Sequence, residues 1–567
     1  MRILLLTHAF NSLSQRLWLE LGADGHELSV EFDINDQVTR EAVALFRPDL
    51  VLAPFLKRAI PADVWRALPC FIVHPGPLGD KGPSALDWAI LERRESWGVT
   101  VLRATGEMDA GPVWAHRTFA MRAAPKSSLY RREITENAIS AVREALDRFA
   151  GGEGPLLPVN RGAQGEKPAM RQADRAIDWA RMGTQQVVRR IRAADGQPGV
   201  RDRLEGHEVW LHDAHAAPGH DGPPGAVLGL GREALLRATV DGAVWIGHLK
   251  VALPETRRRI KLPARRALRL LGLPSPPDVD CAREPNHPGT ETRGDVAVIR
   301  FPFYNGAMSV ARARALKAQI RAASASPARV ILLTGGPEFW SNGIDLATIE
   351  AAESPAEASM AAIEAIDDVC LALLDVTDKW IIAAMSGNAG AGGVFMALAA
   401  DEVGARAGVV LNPHYRNMGN LYGSEYWTYL LPRRLGKEGA ARLMSTRLPI
   451  SAVEAARMGL IDTTRPGSPE AFETVMFGHA EARAAETELT ARLAAKARRR
   501  ESDAAEKPLS AYREQELARM RLNFFGFDTS YHVARHDFIT QVPKSRTPLY
   551  LAPHRQKTGP AQNRAQT

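Results

Sequence analysis

The chain is poor in cysteine: Cys70, Cys281 and Cys370 are the only three in 567 residues, and no two share a C-x-x-C spacing. That scarcity excludes a disulfide framework and a cysteine-ligated zinc site, and it predicts a reducing, cytoplasmic setting. No apolar run approaches the roughly 20 residues needed to span a bilayer, so no membrane association is expected. The opening MRILLLTHAF is a short apolar run without a cleavage-site pattern, and it reads as a first strand, not a signal peptide. No G-x-G-x-x-G follows that strand, so a dinucleotide fingerprint is missing. A strong excess of one charge is missing too: 72 Lys and Arg against 65 Asp and Glu give a formal +7. The arginines gather in RRIRAA, ETRRRIKLPARRALRL and ARRRES. Such clusters suit nucleic acid, a polyanion such as coenzyme A, or a solvated basic face, and the last is the commonest. Nucleic acid is not an expected partner.

What is present is enough for three or four domains, with the 45% hydrophobic and 24% charged content of an ordinary globular chain. Two stretches look built to bring bare backbone up to a ligand. In IAAMSGNAGAGGVFMALAAD (382–401) an apolar strand runs into Gly387, Gly390, Gly392 and Gly393 and then into a buried helix. In VILLTGGPEFWSNGIDL (330–346) a strand meets a Gly335-Gly336 turn, and Ser341 to Leu346 then enter a helical pattern. Turns of this kind leave amide N–H groups facing outward, where they hold an oxyanion or a phosphate, although they also serve simply to pack a helix on a sheet.

With both turns in view the chain resembles the crotonase (enoyl-CoA hydratase/isomerase) family. Its S/A-G-x-D-L loop and G-x-x-x-G-G-G turn each give one N–H to an oxyanion hole around a CoA thioester carbonyl. Carried over residue by residue, the resemblance places these donors on Ile344 and Gly392, with Asn342 and Gly393 beside them, and it extends through ISAVEAARMGLID (450–462). The chain departs from the hydratases where their carboxylates stand: Phe395 and Tyr415 take those places, which argues against ordinary enoyl hydration. A different carboxylate, Glu425, arrives in LYGSEYWTYLLPRR among Tyr422, Tyr426, Trp427 and Tyr429. Aromatic crowding of that kind raises a carboxyl pKa toward neutrality and suits it to proton transfer; a solvated residue at a helix start is the plainer alternative. Arg433 and Arg434 are candidates for the phosphates of CoA.

The first 165 residues read as an α/β domain of Rossmann type. CFIVHPGPLGDKGPSALDWAI (70–90) is a strand ending at His74, a Pro/Gly-rich loop and a helix, and GVTVLRATGEMDAGPVWAHRTF (98–119) holds Asp109 and Gly111 in a turn between two strands. These residues resemble the folate-dependent formyltransferases, whose N-x-H-P-S loop and D-x-G turn surround the formyl group of 10-formyltetrahydrofolate. The resemblance implies that His74 handles a proton, that Asp109 orients it or a water, and that Pro75, Gly82, Asp109 and Gly111 line the folate site. The family's Asn position is Ile72, which offers no hydrogen bond. Loss of one oxyanion donor costs about 3 kcal/mol in other enzymes, so either transfer is slow or another residue supplies the donor.

Residues 175–200 are similar to the linker helix of methionyl-tRNA formyltransferase. EVWLHDA, GAVLGL, ALLRATV and AVWIGHLKV then alternate like the strands of a small barrel. LGLPSPPDVDCAREPNHPGTET (271–292) is a proline-rich linker. The expected order is therefore α/β: a formyltransferase-like domain (1–165), a linker helix and OB-like barrel (166–268), a linker (269–292), a crotonase-like α/β domain (293–490) and a helical extension (491–567). His532 and His536, four apart, admit two metal ligands on one helix face. No third ligand is evident, so they read as packing or surface residues and no metal is expected. The closing RQKTGPAQNRAQT reads as disordered.

The pairing of the two modules resembles a family of hydrogenase maturation factors. That resemblance implies two small-molecule substrates, 10-formyltetrahydrofolate and coenzyme A, transfer of the formyl group to CoA, and decarbonylation of formyl-CoA to carbon monoxide for the CO ligand of [NiFe] hydrogenase. It also implies other hydrogenase maturation proteins as partners, and catalysis is expected from His74 and Asp109 in the first half and from Glu425, assisted by Tyr415, in the second. The alternatives are an enzyme that forms or hydrolyses formyl-CoA without CO, a non-catalytic nickel-centre assembly chaperone, and a tRNA formyltransferase with an appended domain.

Overall fold

The computed structural model describes residues 1–162, 165–253, 256, 258–280 and 284–556. Cys281 and residues 557–567, most of the stretch expected to be disordered, lie outside the described residues. Two compact units emerge: Met1–Ile177 with Arg189–Val200 and Pro543–Thr567, and Asp178–Val188 with Arg201–Val542.

In the first unit six strands order as Glu27–Phe32, Arg2–Thr7, Leu50–Phe55, Cys70–His74, Ser96–Arg103 and Val113–Ala120. The first four run parallel and the last two antiparallel. Parallel strands are buried on both faces, so RILLLT and LVLAPF are continuous apolar runs without alternation. Asn11 and Asn35 start the helices Ser12–Ala23 and Asp36–Phe46 by accepting the N–H groups of Ser14 and Val38. The strand Cys70–His74 stops where Pro75 has no N–H to offer the ladder.

The outer strand Glu27–Phe32 is covered by the far end of the chain. Val30 donates its N–H to Leu551 O at 2.8 Å, and Phe32 donates to Thr547 Oγ1 at 2.8 Å. Glu31, wholly buried, meets Thr547 Oγ1, His554 Nε2 at 3.0 Å and Arg555 Nε at 2.5 Å. The expected helical extension 491–567 is thus divided: residues 543–556 belong to the first unit.

In the second unit the barrel-like segment forms an antiparallel sheet ordered Val227–Leu230, Leu235–Thr239, Gly242–Ala252, His207–Ala216 and Val200–Leu204, with Arg259–Pro263 also on Gly242–Ala252. A second six-stranded sheet follows: Gly289–Arg293, Val296–Arg300, Val330–Thr334, Trp380–Met385, Glu402–Arg406 and Thr463–Arg465, parallel after its opening hairpin. A smaller sheet joins Phe339–Ser341, Asn388–Gly390, Val410–Asn412 and Ile450–Ser451. Each glycine-rich turn carries the chain from the larger sheet to the smaller one, and parallel pairing of Phe339 with Asn388 and Ser341 with Ala389 sets the two turns side by side.

Helices Pro355–Leu374, Trp427–Ser445 and Leu509–Phe525 pack together beside these sheets. Ser530–Thr540 packs on the short helix Leu346–Glu350. No helix among the described residues is long and apolar enough to cross a membrane.

Candidate active sites

His74 ends its strand almost sealed, 3% exposed, with a carboxylate on either side. Its Nε2 lies 2.7 Å from Asp80 Oδ2 and its Nδ1 3.4 Å from Asp109 Oδ2. Asp109 sits in the left-handed region at φ 51° and receives the Gly82 N–H at 3.2 Å. Gly82 and Gly111 leave no room for a side chain: a Cβ on either would overlap a carbonyl oxygen, that of Lys167 or of Arg103. Pro75 contributes its carbonyl, which accepts the Trp97 Nε1–H at 2.9 Å. Ile72 packs with the apolar cluster of the sheet.

The loops are tied by Asn160, which no motif singled out. It donates to Asp80 O at 3.2 Å and Asp109 O at 2.8 Å and accepts the Gly79 N–H at 2.7 Å. With its amide so engaged, Asn160 is not the donor missing at Ile72. The D in LGDKG was the available signal for Asp80, but only the fold shows that this turn curls back onto His74.

The second site grows from the paired turns. Ala391 takes the glycine-like φ 47°, ψ −127° as its N–H reaches Asn412 O at 2.9 Å, and the helix Gly392–Leu398 starts directly after it. Gly393 has no space for a Cβ against Ser341 O. Neither the Ile344 nor the Gly392 N–H has an acceptor among the described residues, which makes both available to a carbonyl oxygen. Asn342 is exposed and its Nδ2 is committed to Asn305 O at 2.8 Å. Asp345 caps the next helix through the Ala347 and Thr348 N–H groups.

Glu425 faces the Gly392 Cα and is 1% exposed, so it is not a solvated helix-start residue. Tyr415 OH donates to its Oε2 at 2.5 Å and the Ser424 N–H approaches at 3.2 Å, while the Phe395 ring stacks on Tyr415. Phe395 and Tyr415 thus form one aromatic stack that backs Glu425. Burial, and then the charge of Asp367, push the Glu425 carboxyl up to about 8. The aromatic neighbours noted in the sequence are largely occupied elsewhere: Tyr422 pairs with Trp427, and Tyr429 with Tyr512 and Asp503. The nearby carboxylates are instead Asp367, which accepts from Ser424 Oγ and the Glu425 N–H, and Glu516, which accepts the Tyr426 and Thr428 N–H groups. Burial raises Asp367 to about 6 and Glu516 to about 8. The phenol of Tyr415 is held well above its ordinary pKa by burial and by Glu425, so it stays a donor.

Arg433 pairs with Asp503 and Arg434 with Asp462, each at 2.8 Å. His536 bonds Glu350 at 2.7 Å, and His532 is held by Arg535 and the Phe524 carbonyl. No cluster of three metal-ligating side chains exists among the described residues.

Comparison with known proteins accounts for both halves. The enoyl-CoA hydratase/isomerase family matches residues 294–523, and the formyl transferase C-terminal domain matches 169–256. Methionyl-tRNA formyltransferase of Thermotoga neapolitana is 27% identical over 222 residues, covering 38% of this chain and 70% of its own. Hydrogenase maturation factor HoxX of Bradyrhizobium diazoefficiens is 53% identical over 569 residues, 99% of this chain and 98% of that one. The crystal structure of HypX from Aquifex aeolicus in complex with tetrahydrofolic acid superposes with a TM-score of 0.94 at 44% identity, covering 99% and 100% of the two chains. A formyltransferase-like half and a crotonase-like half joined over this full length place the chain in the HypX/HoxX family of hydrogenase maturation factors.

Proposed function

We propose that this enzyme makes carbon monoxide for the CO ligand of [NiFe] hydrogenase, in the cytoplasm, from the formyl group of 10-formyltetrahydrofolate, using the thiol of coenzyme A as carrier. The observation that carries the reading is the sealed Glu425–Tyr415 pair beside the unpartnered Ile344 and Gly392 N–H groups. Folate use is supported by the tetrahydrofolic acid bound to the Aquifex aeolicus relative. CoA use is supported by the crotonase-like half.

In the first half His74 accepts the thiol proton as the carbon–sulfur bond forms, and returns it to the folate nitrogen as the carbon–nitrogen bond breaks. Asp109, 3.4 Å from Nδ1, steadies the imidazolium while it carries that proton. In the second half the Ile344 and Gly392 N–H groups hold the thioester oxygen. Glu425, steadied by Tyr415, takes the formyl proton and delivers it to the departing sulfur, so that carbon monoxide and free thiol leave together. No water is consumed, which agrees with Phe395 and Tyr415 standing where hydratases carry carboxylates.

The test supplies 10-formyltetrahydrofolate labelled in the formyl carbon, with and without CoA, and traps labelled CO on a haem protein. His74→Ala and Asp109→Asn should stop consumption of the folate, and Glu425→Gln should let formyl-CoA accumulate without CO. Labelled formate as the sole product would instead establish a hydrolase, and an unconsumed folate that nevertheless binds would establish an assembly chaperone. Label passing to added tRNA would establish a tRNA formyltransferase.

A further inference from the structure

We propose that Asp80 is a positioning residue for His74. It accepts the Nε2–H, fixes the imidazole in that tautomer, and leaves Nδ1, on the Asp109 side, as the nitrogen that exchanges the proton during formyl transfer. The proposal rests on the role given to His74 above.

The carboxylate of Asp80 has no other work in the fold. The turn that bears it is already held through its backbone: Asp80 donates its N–H to Pro77 O at 3.0 Å, its carbonyl accepts from Asn160, and Asn160 also takes the Gly79 N–H. Among the described residues Asp80 Oδ2 meets only His74, and Oδ1 is buried with no partner. Structural carboxylates in this chain look different: Asp345 takes two helix N–H groups, and Asp367 takes a hydroxyl and a backbone N–H. Burying a carboxylate with one neighbour is costly, a cost that a mere turn residue would shed by becoming Asn or Ser. The local sequence is also cut to the contact, because a Cβ at position 76 would overlap both Asp80 Oδ2 and His74 Nε2, which leaves glycine.

The tautomer follows from donor and acceptor chemistry. An ionised carboxylate only accepts, so at 2.7 Å the proton sits on Nε2. Nδ1 is the nitrogen on the looser side, where a proton is held less firmly: Asp109 Oδ2 is 3.4 Å away, already receives the Gly82 N–H, and belongs to a side chain 12% exposed against 1% for Asp80. The proton cycle closes on Nδ1, which receives the thiol proton and gives the same proton to the folate nitrogen, while Nε2–H stays on Asp80 throughout.

The experiment uses the full chain, with Asp80→Asn as variant, 10-formyltetrahydrofolate and CoA as probes, and release of tetrahydrofolate as readout. Nitrogen-15 spectra of the histidine rings are recorded in parallel. The expected result is a kcat at least about 100-fold lower, smaller than the roughly 10⁴-fold loss when the aspartate behind a serine-protease histidine becomes Asn, with the folate KM within about twofold and the His74 proton moved to Nδ1. An Asp80→Asn variant keeping kcat within about threefold, or losing folate affinity and thermal stability with the tautomer unchanged, would overturn the proposal. The ring spectrum of the unsubstituted protein is an independent test: a His74 with bare Nε2 rules the proposal out. If that protein releases no tetrahydrofolate at all, the functional reading falls, and the ring spectra of the two proteins still decide the role of Asp80.

Discussion

Gly392 presents its bare Cα to Glu425 Oε1 so closely that a methyl group on that carbon would overlap the carboxylate. The same glycine has an N–H without an acceptor among the described residues, and its missing side chain makes room for the Glu425 carboxyl. Gly392→Ala should fold and still consume 10-formyltetrahydrofolate, yet lose CO output by about 100-fold, the scale of one misplaced proton-transfer group. Parallel assays of folate consumption and trapped CO check it.

Substitution at the carboxyl itself should be more severe than at its phenol. Glu425→Gln removes the proton carrier and should cut CO release by about 10²- to 10⁴-fold. Tyr415→Phe removes a hydrogen bond that steadies the carrier and should cost about tenfold, near the worth of one such bond. Single-turnover release of CO from supplied formyl-CoA measures both without involving the folate half.

Acidity gives the second step a pH signature. Burial and the neighbouring Asp367 keep the Glu425 carboxyl protonated up to about 8. On the proposed mechanism the reactive carboxylate form is therefore scarce at pH 6, and CO release should rise about tenfold per unit toward pH 8 and then level. Stability moves the other way. Between the ordinary glutamate range and about pH 8 the folded chain holds a proton that the unfolded chain has lost, so stability falls as pH rises through that window. Glu425→Gln removes this liability, and its melting temperature relative to the unsubstituted protein should climb from pH 5 to pH 8 and stay level beyond. Calorimetry across that range tests the sign.

Glu31 offers the opposite case. Burial alone would raise it, but hydrogen bonds from His554, Thr547 and Arg555 hold its carboxyl below the ordinary value. That stabilisation is present above the ordinary glutamate range and is lost as pH falls through the lowered value. Arg555→Ala should destabilise the first unit by about 2 to 3 kcal/mol, less than the roughly 3 to 5 of a fully broken buried pair because His554 and Thr547 remain. Denaturant unfolding at neutral pH should show the loss, and at pH 3 the difference should shrink.

Several features were legible in the residues because they are local. The strands leading into the glycine turns, Val330–Thr334 and Trp380–Met385, and the strand ending at His74, are set by short-range periodicity and by where glycine and proline interrupt it. The short alternating strands of 207–252 stood out for the same reason. The short strands Phe339–Ser341 and Asn388–Gly390 beyond those turns were not legible, and the helix expected from Ser341 begins only at Leu346. The cause of the raised Glu425 pKa was not legible in this way. The aromatics adjacent in sequence are largely engaged elsewhere, and Asp367 and Glu516, remote in sequence, supply the neighbouring charge.

By itself, then, the sequence determined the kind of chain this is: two alternating α/β patterns, a run of short strands between them, a histidine at the end of one strand and glycine-rich turns after two others. Tertiary structure alone decided which carboxylates surround those groups. Asp80 reaches His74 through a turn, Asp367 and Glu516 reach the 424–428 segment from separate helices, and the chain's last segment reaches Glu31 across the whole sequence. The physical reason is that strand and turn patterns answer to neighbours a few residues away, whereas the environment of a buried charge is set by whatever distant segments the fold packs against it.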